Sequence, residues 1–164
     1  MKTSTIRLEI APGAYDNDDA YEKVIGYIMK KHVIGGYGYN PFEIGNIIPQ
    51  FELSKLTSHQ TSQRNIWHFY ITFSDIRNVE ELYTIADMFA QLFAPHYQII
   101  FGVDIKGKPH LHFAVNAYSY HPDIPTLTHF LIEPIMHNIL HLLHIYYPSH
   151  KTIFQPNKGG SRNV

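Results

Sequence analysis

Two histidines stand one residue apart, His110 and His112, in "KGKPHLHFAVNAYSY". Imidazole is both a metal ligand and a proton carrier near neutral pH. Side chains alternate faces along a strand, so His110, His112, Ala114 and Asn116 share one side while Leu111, Phe113 and Val115 form an apolar side. The preceding stretch, "YQIIFGVDI", reads as a second strand with Gln98, Ile100, Gly102 and Asp104 on one side. A three-residue turn at Lys106-Gly107-Lys108 sets Asp104 opposite His110 and Gly102 opposite His112. One bulged residue would break that parity. A carboxylate and two imidazoles on one patch, with a glycine leaving room between them, form a donor set for a catalytic divalent ion with positions open to substrate oxygens. The competing reading is two solvated histidines at the mouth of a strand.

A second candidate is Tyr27. In "DNDDAYEKVIGYIMKKH" the residues Tyr21, Val24, Ile25 and Ile28 make the i, i+3, i+4, i+7 stripe of an amphipathic helix, and Tyr27 lies beside that stripe. Lys23, Lys30 and Lys31 fall around the same face, where ammonium groups would draw in a phosphate and support a phenol acting as nucleophile. The alternative is a tyrosine packed at the edge of a solvated face. His68, on "IWHFYITFS" with Tyr70 and Thr72, points away from Trp67, Phe69 and Ile71; it could orient a ligand, move a proton or simply be satisfied in a sheet. His137, His141 and His144 form another stripe on a late helix, read as a polar face with a zinc site as the rival.

The elements that must position these groups are legible from periodicity. Strands are expected at 3–11, 66–74, 97–105 and 109–120, with helices after Asp16 to Asp19, over 42–56, after Asn78 and over 124–147, this last with a kink at Pro134. "GGYGYNP" reads as a glycine-rich break, and the segment after residue 151 as one short strand. The expected class is α+β: a central antiparallel sheet with helices packed mainly on one face. At 164 residues the chain fits one domain, taken as 1–155, with 156–164 as a flexible tail. A net charge of −1 excludes a globally basic nucleic-acid binder, leaving only a local patch. The absence of cysteine excludes disulfides and thiolate metal sites. Without a signal-peptide core or a membrane-length apolar run, the expected location is cytoplasmic.

"YQIIFGVD…PHLHFAVNAYSY" resembles the metal hairpin of mobilisation relaxases in the HUH endonuclease superfamily, named for histidine–hydrophobic–histidine. "VIGYIMKKH" is similar to the segment carrying the relaxase tyrosine, and "WHFYITFSD" and "ELYTIADMFAQLF" to the strand and helix before the hairpin. The resemblance implies an HUH relaxase-like fold, Tyr27 as nucleophile, and a Mg²⁺ or Mn²⁺ ion held by His110, His112 and Asp104. It implies supporting or DNA-binding roles for His68, Asn116, Lys30, Lys31, Arg64, Lys106 and Lys108. The implied reaction is nicking and rejoining of single-stranded DNA at a transfer origin through a 5′-phosphotyrosine intermediate, with accessory mobilisation proteins as further partners. In the family's pattern a third histidine stands where this chain has Asp104. An HUH replication initiator or transposase, or a degenerate relaxase that only binds DNA or a partner, are the alternatives; the early tyrosine favours a relaxase.

Overall fold

The computed structural model describes residues 3–156. Its elements run β1 (Thr5–Ile10), α1 (Ala20–Met29), β2 (Val33–Tyr37), a 3-10 segment (Pro41–Asn46), α2 (Ile47–Thr57), β3 (Ile66–Phe73), α3 (Val79–Ala90), β4 (Tyr97–Asp104), β5 (His110–Ser119), α4 (His129–Tyr146) and β6 (Lys151–Gln155). The strands form one six-stranded sheet in the order β2-β4-β5-β3-β1-β6. Every neighbouring pair is antiparallel except β1 and β6, which run parallel. The α+β class with a mainly antiparallel sheet is thus the one expected.

Alternation divides the sheet into two chemically different faces. Ile6, Leu8, Trp67, Phe69, Ile71, Phe101, Val103, Leu111, Phe113 and Val115 are buried beneath α3 and α4, making the larger core. Phe69 and Phe113, directly paired across β3 and β5, stack with ring centroids 4.6 Å apart. Each such phenylalanine contributes about 1.5–3 kcal/mol of burial. The opposite face is only partly apolar. Ile66, Ile100 and Ala114 meet Tyr21, Val24, Ile25 and Ile28 of α1 and Ile47 and Phe51 of α2 in a smaller core, and beyond it the strands show His68, Tyr70, His110 and His112.

Two boundaries differ from the sequence expectation. The glycine-rich stretch is an edge strand, β2, paired with β4 through Val33↔Val103 to Tyr37↔Ile99. Its glycines are there because a Cβ on Gly35 or Gly36 would run into Phe101 or the Ile99 backbone, so low strand propensity is outweighed by close approach. Residues 124–128 stay extended before α4, with Leu127 N–H on Ala117 O and Trp67 Nε1–H on Leu127 O. Pro125 cannot donate a helical bond there. Pro49 sits in the first turn of α2, and Asn78 Oδ1 caps α3 by accepting Glu81 N–H. Residues 157–164 of the expected tail lie outside the described residues.

A buried polar knot fixes α1 to the sheet. Asn116 is fully buried; its Nδ2 donates to Phe51 O (2.9 Å) and Gln98 Oε1 (2.8 Å), and its Oδ1 accepts from Tyr21 Oη (2.8 Å). Gln98 in turn accepts from Ser54 Oγ at 2.7 Å. Asn116 therefore ties α1, α2, β4 and β5 together and has no surface to offer a ligand. Truncating it strands several buried donors and acceptors. Asn116→Ala is expected to lower the unfolding free energy by about 3 kcal/mol in a denaturant titration, with wild-type helix content kept below the transition.

Candidate active site

The registers of β4, β5 and β3 assemble the site. Asp104 pairs with His110 and Gly102 with His112, as the turn length predicts, and on the other side His112 pairs with Tyr70 and His110 with Thr72. A register shift falls between Tyr97 and Ile99, at the far end of the strand, so it leaves the parity here intact. The polar knot at Tyr21 sets the rotation of α1, and six residues further on, about 9 Å along the axis, Tyr27 overhangs this patch. Tyr27 is 44% exposed. Its ring lies edge-on to His112 at 5.1 Å between centroids and tilted against His68 at 5.9 Å. Tyr21, the other tyrosine of α1, is 2% exposed and bonded to Asn116, and burial raises its pKa, so it is a core residue.

His68 and His112 touch: Nε2 of the first is 3.4 Å from Nδ1 of the second. His112 is 6% exposed. Burial pushes the His112 pKa down to about 3, helped by His68, Lys31 and His110 and opposed by Asp104. Burial and then Lys31 push His68 down to about 4. Both imidazoles are therefore neutral at physiological pH and weakly basic, with lone pairs open to a ligand.

Asp104 does not turn toward them. Its Oδ2 accepts from Lys31 Nζ at 3.0 Å and its Oδ1 from Lys106 N–H at 3.0 Å, with His32 Nδ1 3.8 Å away. These contacts hold its carboxyl below the usual range against the opposing effect of burial, the largest single influence. Among the described residues no group of three His, Asp or Glu side chains is arranged to hold a metal ion. The strands present Asp104, His110 and His112 on one face, and in this arrangement the carboxylate is bonded to Lys31 of the α1–β2 link rather than turned to the imidazoles. His110 and His112 stack with centroids 5.7 Å apart, and with Asp104 bonded to Lys31 this arrangement does not fit a three-donor ion site.

Lys31 is the centre of this rearrangement. It lies just past α1, where its N–H bonds Ile28 O and the next residue, His32, bonds Val103 O. Its Nζ sits 3.8 Å from the centroid of the Tyr27 ring. Burial works against its charge, and hydrogen bonds to Tyr27 and Asp104 outweigh that, so its pKa is raised. Lys30, His32 and Lys106 line the same shallow pocket of about 270 Å³ with Lys31 and Asp104. Lys108 lies on the other flank, with His110, Tyr70, Thr72, Arg7 and Glu9 around a groove of about 370 Å³.

Arg64 is elsewhere. It stacks on Trp67 at 4.0 Å and lines a cavity of about 660 Å³ with Trp67, Thr126 and His129, so it belongs to the far end of β3. His137, His141 and His144 are exposed on α4, whose buried residues are Ile132, Met136, Ile139 and Leu143. The sequence reading missed the pairing of Lys31 with Asp104; Gly102 was its trace, read as room for an ion.

Because both site histidines are less basic in the fold than the usual 6.5, the unfolded chain binds more protons once the pH drops below that value. Stability is expected to fall as the pH is lowered from about 6.5 toward 4, by up to about 1.4 kcal/mol per pH unit for each histidine. Denaturant titrations across that window check it, and His112→Phe should flatten the acid slope.

Comparison with known proteins bears on this arrangement. The family model "Relaxase: MobA/VirD2-like, nuclease domain" matches residues 27–123, more than half of the chain. The matched span opens on Tyr27 and includes β3, α3 and the β4–β5 hairpin. No curated protein and no solved structure matches the chain. Relaxase nucleases of this kind are generally metal-dependent and act on single-stranded DNA at origins. Among the described residues no helix is long and apolar enough to cross a membrane. A phenol at the head of the matched span, set over a neutral histidine pair on the sheet, completes the case: the chain belongs to the MobA/VirD2-like relaxase nuclease family.

Proposed function

We propose that this chain is a relaxase nuclease that nicks and rejoins single-stranded DNA by transesterification with Tyr27. The observation that carries the reading is the placement of one exposed phenol against two neutral imidazoles and one ammonium: Tyr27 with His112 at 5.1 Å, His68 at 5.9 Å and Lys31 at 3.8 Å.

The chemistry follows from those groups. The Tyr27 oxygen attacks a backbone phosphorus, the bond to the upstream 3′-oxygen breaks, and the downstream strand is left joined to the protein as a 5′-phosphotyrosine. The phenolic proton leaves Tyr27 as its oxygen bonds to phosphorus and a proton is delivered to the departing 3′-oxygen, so the exchange is balanced. His112 and His68, with pKa values held at about 3 and about 4, are neutral neighbours of the phenol rather than its base. The link is itself a phosphodiester, so a 3′-hydroxyl reverses the step and rejoins strands. Lys30, Lys106 and Lys108 rim the site and offer phosphate contacts. In relaxases a divalent ion, Mg²⁺ or Mn²⁺, supplies Lewis-acid polarisation of the phosphate when bound; here His110 and His112 would need Asp104, which is bonded to Lys31, to complete a donor set for it. The setting is cytoplasmic processing of a transfer origin in plasmid or mobile-element mobilisation, with accessory mobilisation proteins as partners.

One observation favours a second reading. With Asp104 engaged by Lys31, a relaxase that binds DNA without cutting it is the alternative. Incubation with a 3′-labelled, random-core single-stranded oligonucleotide, with and without Mn²⁺, separates the two. The nicking reading expects a denaturant-stable protein–DNA band that Tyr27→Phe abolishes. Retained DNA binding with no such band selects the binding-only relaxase, and a band unchanged by Tyr27→Phe moves the nucleophile elsewhere.

A further inference from the structure

The Lys31 side chain lies over β4 at Gly102, beside the Asp104 carboxylate. A Cβ built on Gly102, the residue opposite His112, would stand 2.8 Å from Lys31 Cγ and 2.9 Å from Lys31 Cβ. Any side chain at that position would evict the lysine stem, and glycine is what makes its berth. The stem lies in contact with the sheet, and the side chain is only 12% exposed. The head is held from two sides, by Asp104 Oδ2 at 3.0 Å and by the face of the Tyr27 ring at 3.8 Å. An ammonium has three donors. One is spent on Asp104, which leaves donors for Tyr27 and for a phosphate oxygen brought up to the phenol.

The donor set and this berth point the same way. The third metal donor is unavailable because a cation already sits on it, and that cation is covalently part of the chain. The charges facing the berth are Asp104 as the carboxylate and Lys30, Lys106 and Lys31 as cations, with His32 beside them, so the balance toward an incoming phosphate remains positive. His68 and His112 add no charge of their own. A preorganised donor aimed at charge that develops in the transition state performs the electrostatic part of what a bound ion performs.

We propose that Lys31 is a catalytic residue of this chain, a built-in cation that neutralises the scissile phosphate beside Tyr27, so that strand transfer proceeds without a divalent metal. The proposal rests on the Tyr27 reading above. The step is unchanged in its balance: the Tyr27 oxygen–phosphorus bond forms, the phosphorus–3′-oxygen bond breaks, the phenolic proton is replaced on the 3′-oxygen, and no electrons are exchanged. Lys31 donates hydrogen bonds throughout and keeps its protons.

The test uses the full chain, the random-core oligonucleotide and excess EDTA. The wild type is expected to form the Tyr27-dependent adduct in EDTA at a rate within a few-fold of that in Mn²⁺. Lys31→Met should slow it about 100-fold or more, Lys31→Arg should recover part of the rate, and Gly102→Ala should resemble Lys31→Met by displacing the stem. Calorimetric titration with MnCl₂ supplies a readout besides activity. The wild type should show no stoichiometric uptake, and Lys31→Met, with Asp104 released, should gain it. Thermal melts establish that each variant folds; if Lys31→Met does not, the EDTA arm on the wild type and Lys31→Arg decide. An adduct that forms in Mn²⁺ and vanishes in EDTA overturns the proposal while leaving the Tyr27 reading standing. No adduct under either condition overturns both.

Discussion

The strand-borne groups of the site depend on the antiparallel registers of β4, β5 and β3, because strand alternation admits only every second residue to a given face. With Gly102 opposite His112 and Tyr70 on its other side, the buried imidazole sits in a trough whose walls are already decided. A one-residue slip of β5 would carry Leu111 and Phe113 to the site and the histidines into the larger core, where Phe69 would lose its stacking partner. The hydrophobic core on one face thus enforces the chemistry on the other.

Charge then settles what the trough does. Burial keeps His68 and His112 neutral, so neither competes for anions, while the Lys31 ammonium lies 3.8 Å from the centre of the Tyr27 ring. Its bond to Asp104 has two effects that pull in different directions. It localises the ammonium beside Tyr27, and it removes the carboxylate from any donor set shared with the histidines. In a partly buried pair of this kind, leaving either charge alone is more costly than the pair itself. A site in which the carboxylate served a metal would need Lys31 to leave its berth.

The scaffold beside the trough is held by buried polar groups bonded to one another. Asn116, Gln98, Tyr21 and Ser54 close a hydrogen-bonded knot under α1 and α2, and it is this knot that sets the rotation at which Tyr27 meets the sheet. Membership of the relaxase nuclease family explains the order of the matched elements. It does not by itself explain Lys31, which comes from the short link between α1 and β2.

The strands other than β2, the helix stripes, the parity of the hairpin and the shared face of Asp104, His110 and His112 were determined by the sequence itself, because backbone geometry imposes periods of 2 and 3.6 that apolar residues record. Other features rested on which elements meet. β2 forms despite its glycines because β4 approaches too closely for side chains; Arg64 lands over Trp67 at the other end of the sheet; Asn116, which spacing alone offers as a site residue, is sealed beneath two helices. The same holds for Lys31 and Asp104, 73 residues apart in the chain, whose attraction is a matter of distance in space. Local periodicity decides the face a residue takes, and only the packed fold decides what stands across from it.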